Sequence, residues 1–474
     1  MRPIEVCDRL GRWSSGRGPL YVLLAARMRR LIDDGELPPG ALLPPDRALA
    51  SALAVGRTTV VAAYELLRSE GRITRRQGSG TRVAGSQSPA TIEDAPVDPI
   101  FLDSLEARDD DVLLAICAAP GDPPPQLAEA YERIVPALRA ISGDIGYYPY
   151  GHPVLREAIA DRYGDRGVPT SPDQILVTNG GQQALSLLAH ALVSPGDQVL
   201  VEAPTYPGAL EAFREEAAVL RGLPVGLVGF EAAMRERRPG LAYVIPTYQN
   251  PTGSVLSPLV RERLARAAAA ADVPLIEDEV PADLGFPGTA PPAPMAAYSE
   301  TVISIGSLSK SVWGGLRIGW IRASAPLVNR LARLRAVHDL GGNVPAQLAA
   351  AHLVAQLDTL GLADELKHRH DHLKSLLAEH LPSWQIPTIQ GGQCLWARLP
   401  HGDGNSFAQT ALRHGLAILP GSGLDVTGAS DPYVRLHFRA RPEELTEAVR
   451  RLTTAWQSYN PPLNRVHPRP AIAI

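Results

Sequence analysis

Apolar residues recur at helical spacing in LYVLLAARMRRLIDDG, at Leu20, Leu23, Leu24, Met28, Leu31 and Ile32, directly after Pro19. Gly35 and the Pro38-Pro39-Gly40 cluster stop that helix. A shorter helical pattern, DRALASAL, follows over about 46–53, and Val55-Gly56 turns the chain. RTTVVAAYELLRSE then predicts a third helix over about 57–70, ending at Gly71. ITRRQGSGTRV reads as two short strands around Gly78-Ser79-Gly80. A helix, a helix-turn-helix and a basic hairpin in that order are the layout of a winged helix-turn-helix. From 84 to 111 the chain is polar, acidic and proline-bearing, a linker composition. Beyond about 112, short apolar runs alternate with helical patterns: QILVTNG before GQQALSLLAHAL, then DQVLVEA, LAYVIP and VPLIEDE. That alternation predicts an α/β body with a mostly parallel sheet covered by helices. A mixed α+β pattern over about 360–455 predicts a smaller C-terminal subdomain. The expected division is a head over 1–83, a linker over 84–111 and a body over 112–474.

Composition narrows the classes. The 474 residues are 45% hydrophobic and 20% charged, which is enough to build cores and rules out disorder along the whole chain. No apolar run reaches the ~18 residues of a membrane span. The start, MRPIEVCDRLGRW, lacks the apolar stretch of a secretory signal. Cys7, Cys117 and Cys394 lie far apart and form neither a zinc pattern nor a disulfide framework, so a cytoplasmic protein is expected. Charge is uneven. Residues 1–85 carry 14 arginines against eight acidic residues, net +6, which leaves −10 on the rest of a chain whose total is −4. A basic head on an acidic body points to a head that meets a polyanion. The chain has 43 arginines and only three lysines, Lys310, Lys367 and Lys374. Where arginine serves for ordinary positive charge, an isolated lysine marks amine chemistry, because a guanidinium never deprotonates in proteins.

In the head, Arg57-Thr58-Thr59 opens the third helix, where a recognition helix presents its base and phosphate contacts. Arg47 starts the preceding helix, and Arg75-Arg76-Gln77-Gly78-Ser79-Gly80 joins charge to glycines that allow close backbone approach. On charge alone, a three-helix protein-interaction domain with a solvated basic surface remains open. Over residues 20–83 the sequence resembles the winged helix of the GntR family. The resemblance implies binding to double-stranded operator DNA, with Arg47, Arg57, Thr58, Thr59 and Gly80 as contacts and Gly78 as a further one. Gly56 and Pro45 stand where serine is common in that family; glycine is an acceptable helix cap.

In the body, SIGSLSKSVWGGLRIGW joins a strand, a Ser/Gly loop, Lys310, Gly314-Gly315 and Arg317. Ser307, Ser309 and Arg317 suit a phosphate, and the lysine suits a Schiff base with an aldehyde. Asn179-Gly180-Gly181 falls between a strand and a helix, where phosphate binds. Tyr206 suits either ordinary packing or stacking on an aromatic ring, Asn250 a bond to a phenolate and Asp278 a pyridinium proton. Arg435 in PYVRLHF suits a ligand carboxylate or a structural ion pair. His368 and His372, four apart on a helical stretch, have no third ligand in the pattern, so no metal is expected.

These residues, in this order, resemble fold-type I pyridoxal-phosphate enzymes of the aspartate aminotransferase kind. With the GntR-like head, about 20–83 and 112–455 together resemble the MocR/GabR regulators. The resemblance implies a PLP-dependent DNA-binding regulator that senses an amino acid or amine through aldimine formation at Lys310. Gly180, Gly181, Tyr206, Asn250, Asp278, Ser307, Ser309, Lys310 and Arg317 would bind the cofactor and Arg435 the effector. It also implies a homodimer, with Tyr147 reaching a partner subunit's phosphate. The alternative is an active aminotransferase that carries a DNA-binding head. One departure stands out: Val280 and Pro281 occupy the places where the family supplies a tyrosine toward the cofactor's phenolate oxygen.

Overall fold

The computed structural model describes residues 3–84 except 12, 15–18, 39, 70–71 and 77–79, and residues 122–460 except 227 and 358–359. Nearly all of the expected linker, Gly78 and Cys117 lie outside the described residues. In the head, α2 (Leu20–Asp33), α3 (Asp46–Ala52) and α4 (Arg57–Ser69) form the expected helices. Strands β1 (Leu42–Leu43), β2 (Ile73–Arg76) and β3 (Gly80–Val83) make an antiparallel sheet of order β1-β3-β2. Leu24, Met28 and Leu31 pack on Leu49, Val60, Tyr64 and Leu67. The structure adds a helix that periodicity missed, α1 (Pro3–Leu10). It buries Val6, Cys7 and Leu10 in the same core, followed by Trp13. Arg27 ties its end down by donating to the carbonyls of Leu10 and Arg9, both at 3.1 Å.

The body begins with α5 (Pro125–Ala140) and α6 (Pro153–Asp165), which lead into β4 (Ile175–Thr178) and α7 (Gly181–Leu192). Next come β5 (Gln198–Ala203), α8 (Pro207–Glu215), β6 (Val219–Pro224) and α9 (Phe230–Arg237). They are followed by β7 (Leu241–Val244), α10 (Pro258–Ala271), β8 (Leu275–Asp278), β9 (Val302–Ser307) and β10 (Gly319–Arg322). Helices α11 (Ala325–His338) and α12 (Val344–Val354) complete this domain. The sheet has seven strands in the order β4-β10-β9-β8-β7-β5-β6. Pairing is parallel from β6 across to β9, and β10 runs antiparallel to both β9 and β4. Its central strands are buried throughout, as a sheet covered on both faces requires. Leu176, Ile276 and Ile305 pack with α7, α8 and α11, whereas Val177, Leu275 and Val302 pack with α5, α6, α10 and α12.

The smaller subdomain contains α13 (Leu362–His380), β11 (Cys394–Arg398), α14 (Gly404–Arg413), β12 (Leu419–Pro420), β13 (Tyr433–His437) and α15 (Pro442–Ser458). Its antiparallel sheet has the order β11-β13-β12. His370 is buried against Phe286 and Phe438, while His372 Nε2 lies 2.9 Å from Thr446 Oγ1. No helix among the described residues is long and apolar enough to cross a membrane.

Candidate cofactor site and DNA-facing head

Thr178, Ala203, Asp278 and Ser307 end β4, β5, β8 and β9. The loops after these strands carry most of the expected cofactor residues, at the end of an open sheet where ligands bind. Asn179 and Gly180 turn the chain from β4 into α7, whose first N–H groups have no partner within the helix. Gly180 has φ 84°, and a Cβ there would lie 2.6 Å from Arg317 Nη2. A side chain at 180 would displace the guanidinium, which donates to the Asn179 carbonyl at 2.6 Å. The Ser307 hydroxyl donates to the Ile318 carbonyl at 3.0 Å and accepts from the Ser309 N–H at 3.1 Å. The Ser309 hydroxyl lies 3.0 Å from it. A helix N-terminus, two hydroxyls and a guanidinium thus converge next to Lys310 in the chain, a donor set that fits a phosphate. Next to the site residues in the chain, Thr205 and Ser311 bury hydroxyls that have no hydrogen-bond partner among the described residues.

Burial pulls the Lys310 amine down to about 8, and the positive charges of Arg439 and Arg435 add to the effect. Arg439, which sequence reasoning missed, also donates a hydrogen bond to the Lys310 carbonyl. Asp278 is buried and accepts from the Tyr243 hydroxyl at 2.5 Å and from the Val280 N–H at 2.9 Å. Burial pushes its carboxyl up to about 6, against the pull of these two bonds. Tyr243 sits on β7, beside β8; in the sequence it is one more apolar strand residue, with no sign of this role. Tyr206 precedes α8 and donates to Gln182 Oε1 at 3.1 Å. Gln182 was also missed, and its place just after the glycine pair is the only signal it offers.

Asn250 and Arg435 come from different subdomains and meet: Arg435 Nη1 donates to Asn250 Oδ1 at 3.4 Å. Pairing of β11 with β13 sets Trp396 opposite Arg435 and Cys394 opposite His437. The Cys394 thiol donates to the Pro251 carbonyl at 3.6 Å. His437 is buried, and desolvation followed by the charge of Arg435 keeps its imidazole neutral. Val280 packs beside Gly181.

In the head, Arg47, Arg57, Thr58 and Gly80 are exposed and Thr59 is half-buried. Arg57 Nε lies 2.9 Å from Asp46 Oδ2, so the starts of α3 and α4 are joined by an ion pair. Gly80 has φ 84°, and a Cβ there would come within 2.9 Å of Leu42, so the hairpin requires glycine at that place.

The model of the bacterial regulatory proteins of the gntR family matches residues 20–83, and that of the aminotransferase class I and II family matches residues 109–452. The chain belongs to the MocR/GabR type of regulator, a GntR head fused to an aminotransferase domain. This regulator is 31% identical to YisV, an uncharacterized HTH-type transcriptional regulator of Bacillus subtilis, over 82% of this chain and 86% of that one. It is 30% identical to the probable rhizopine catabolism regulatory protein MocR of Rhizobium meliloti, over 80% and 82%. Its fold is similar to that of LysN, the alpha-aminoadipate aminotransferase of Thermus thermophilus, complexed with N-(5'-phosphopyridoxyl)-L-leucine. The TM-score is 0.66 at 26% identity, over 73% of this chain and 92% of that one. The regulator is thus a fold-type I protein whose cofactor is pyridoxal phosphate.

Proposed function

We propose that the regulator is a cytoplasmic homodimer that binds an operator through its heads and reads an amino acid at its cofactor. The observation that carries this reading is Lys310. The first lysine in the chain is half-buried, follows Ser307 and Ser309 in their loop and feels the charges of Arg435 and Arg317, and its amine is pulled down to about 8. Bound pyridoxal phosphate supplies an aldehyde that condenses with amines and a ring that withdraws electrons. Gly180, Gly181, Ser307, Ser309 and Arg317 would hold its phosphate, Asp278 the proton on its ring nitrogen, Tyr206 its ring face and Asn250 its phenolate oxygen. Arg435 would grip the effector's carboxylate in a fork, a pairing that strengthens where water is excluded. A simple amine would leave that fork without its carboxylate. With Val280 and Pro281 in place of the family's tyrosine, turnover as an aminotransferase should be slow.

Exposed apolar residues support the homodimer. Ile145, Tyr147 and Val154 precede or begin α6, and Val337 and Leu340 lie at the end of α11. Tyr150 Oη donates to Asn329 Oδ1 at 3.0 Å and joins these two segments. Exposed apolar residues on two joined segments suit an association face. Arg47, Arg57, Thr58, Thr59 and Gly80 would contact DNA. The test is the affinity of the PLP-loaded protein for the DNA upstream of its own gene, with and without an amino acid that changes its visible spectrum. A change in affinity is expected; equal affinity in both states contradicts the reading, since an effector acts only by binding two states differently.

A further inference from the structure

The head touches the small subdomain through α14. Phe407, Thr410 and Ala411 of that helix face the subdomain's interior. Gln409 and Arg413, four residues apart and so on one side of the helix, reach the head. The Trp13 indole, buried in the head's core, donates to Gln409 Oε1 at 3.2 Å. Arg413 Nη1 donates to the Leu53 carbonyl at 3.1 Å and Nη2 to the Ala54 carbonyl at 2.9 Å. Leu53 caps the C-terminus of α3, and Ala54, at φ 51°, starts the turn into α4. A cation from the body therefore caps the first helix of the helix-turn-helix, three residues before Arg57, where helix carbonyls lack partners and the dipole favours positive charge.

The other end of α14 leads to the cofactor site. Asn405 Oδ1 accepts from the Ser422 hydroxyl at 2.7 Å. Ser422 lies in the single turn Gly421–Leu424, and the Leu424 carbonyl accepts from the Thr205 N–H at 2.8 Å. Thr205 immediately precedes Tyr206. One helix of ten residues, about 15 Å long, thus spans from the loop beneath the expected ring site to the turn that aims the recognition helix.

We propose that α14 is the docking joint between cofactor body and DNA-binding head, and that Arg413 is the positioning residue that passes movement of the small subdomain to the turn before α4. The joint suits this role because, among the described residues, the polar contacts of Gln409 and Arg413 reach the head from one side of one helix. Its use in signalling rests on the effector reading above.

The test is hydrogen exchange of the PLP-loaded protein over residues 53–60, with and without a mixture of the proteinogenic amino acids, 4-aminobutyrate and β-alanine, while the visible spectrum is followed in parallel. In the parent protein the mixture should shift both the spectrum and the exchange of the turn. In Arg413→Gln the spectral response should remain and the exchange response should be lost, with protection of Met28 and Leu31 in α2 unchanged to show a folded head. Gln409→Leu, which leaves Arg413 in place, should weaken the exchange response in the same way and serves if Arg413→Gln loses that protection. A parent protein whose spectrum responds while its turn does not overturns the joint, as do variants that respond like the parent. A parent protein whose spectrum does not respond overturns the effector reading, and the joint's signalling role with it.

Discussion

Lys310 was legible because the chain avoids lysine, so its position in a Ser/Gly loop stood out before any geometry was known. Arg439 was not, because its role comes from donating to the Lys310 carbonyl across 129 positions of sequence. Tyr243 was hidden in the same way, since its bond to Asp278 follows from the pairing of two adjacent strands. Burial and then Arg439 pull the Lys310 amine down to about 8. Arg439→Gln should therefore raise that value, so that PLP incorporation, followed by its visible band, reaches its half-maximal rate at a higher pH than in the parent protein. An unchanged profile would restrict Arg439 to a structural role. Glu202 gives a second test. Burial pushes its carboxyl up to about 8, from an ordinary value of 4.5. A raised acid stabilises the fold fully below its unfolded value, and that contribution is lost as pH rises through the folded one. The parent protein should lose stability as pH climbs from about 4.5 to about 8, by up to about 1.4 kcal/mol per pH unit, and level off above that. Glu202→Gln, which keeps an acceptor for the Ile245 N–H, should flatten that loss in denaturant midpoints measured across the range.

Among the elements, the head's helices and hairpin fell close to their expected positions because glycine and proline punctuate them. Helix α1 escaped because it has only eight residues, and its apolar face becomes apparent only against α2 and α3. The antiparallel placement of β10 was not readable either, since order within a sheet depends on connections and not on apolar runs. The Arg57–Asp46 pair adds something that charge counting did not show: an acid beside the expected DNA contact. Arg57→Ala should cost ~1–3 kcal/mol of operator affinity and relax sequence preference if Arg57 reads a base. Asp46→Asn should instead tighten binding and steepen its salt dependence, because Arg57 is released and a negative charge is removed from the phosphates. Gel-shift titrations at two salt concentrations separate the two effects, and weaker binding by Asp46→Asn would mean that the pair holds Arg57 in its reading position.

At the scale of the whole molecule, the sequence laid out a basic head, an acidic body and a smaller subdomain, but not the surface where the proposed dimer would join. Ile145 and Tyr147 are exposed before α6 and Val337 far along the chain in α11, and the Tyr150–Asn329 bond joins their segments only after folding. The double variant Ile145→Asp with Val337→Asp should sediment as a monomer at a concentration where the parent protein sediments as a dimer; two equal dimers would place the interface elsewhere. The central claim is that this regulator holds pyridoxal phosphate on Lys310. Borohydride reduction of the PLP-loaded protein followed by peptide mapping tests it most directly. The account predicts a phosphopyridoxyl adduct on the peptide bearing Lys310, and no such adduct or visible band in Lys310→Ala. An adduct on Lys367 or Lys374 with Lys310 unmodified would contradict it.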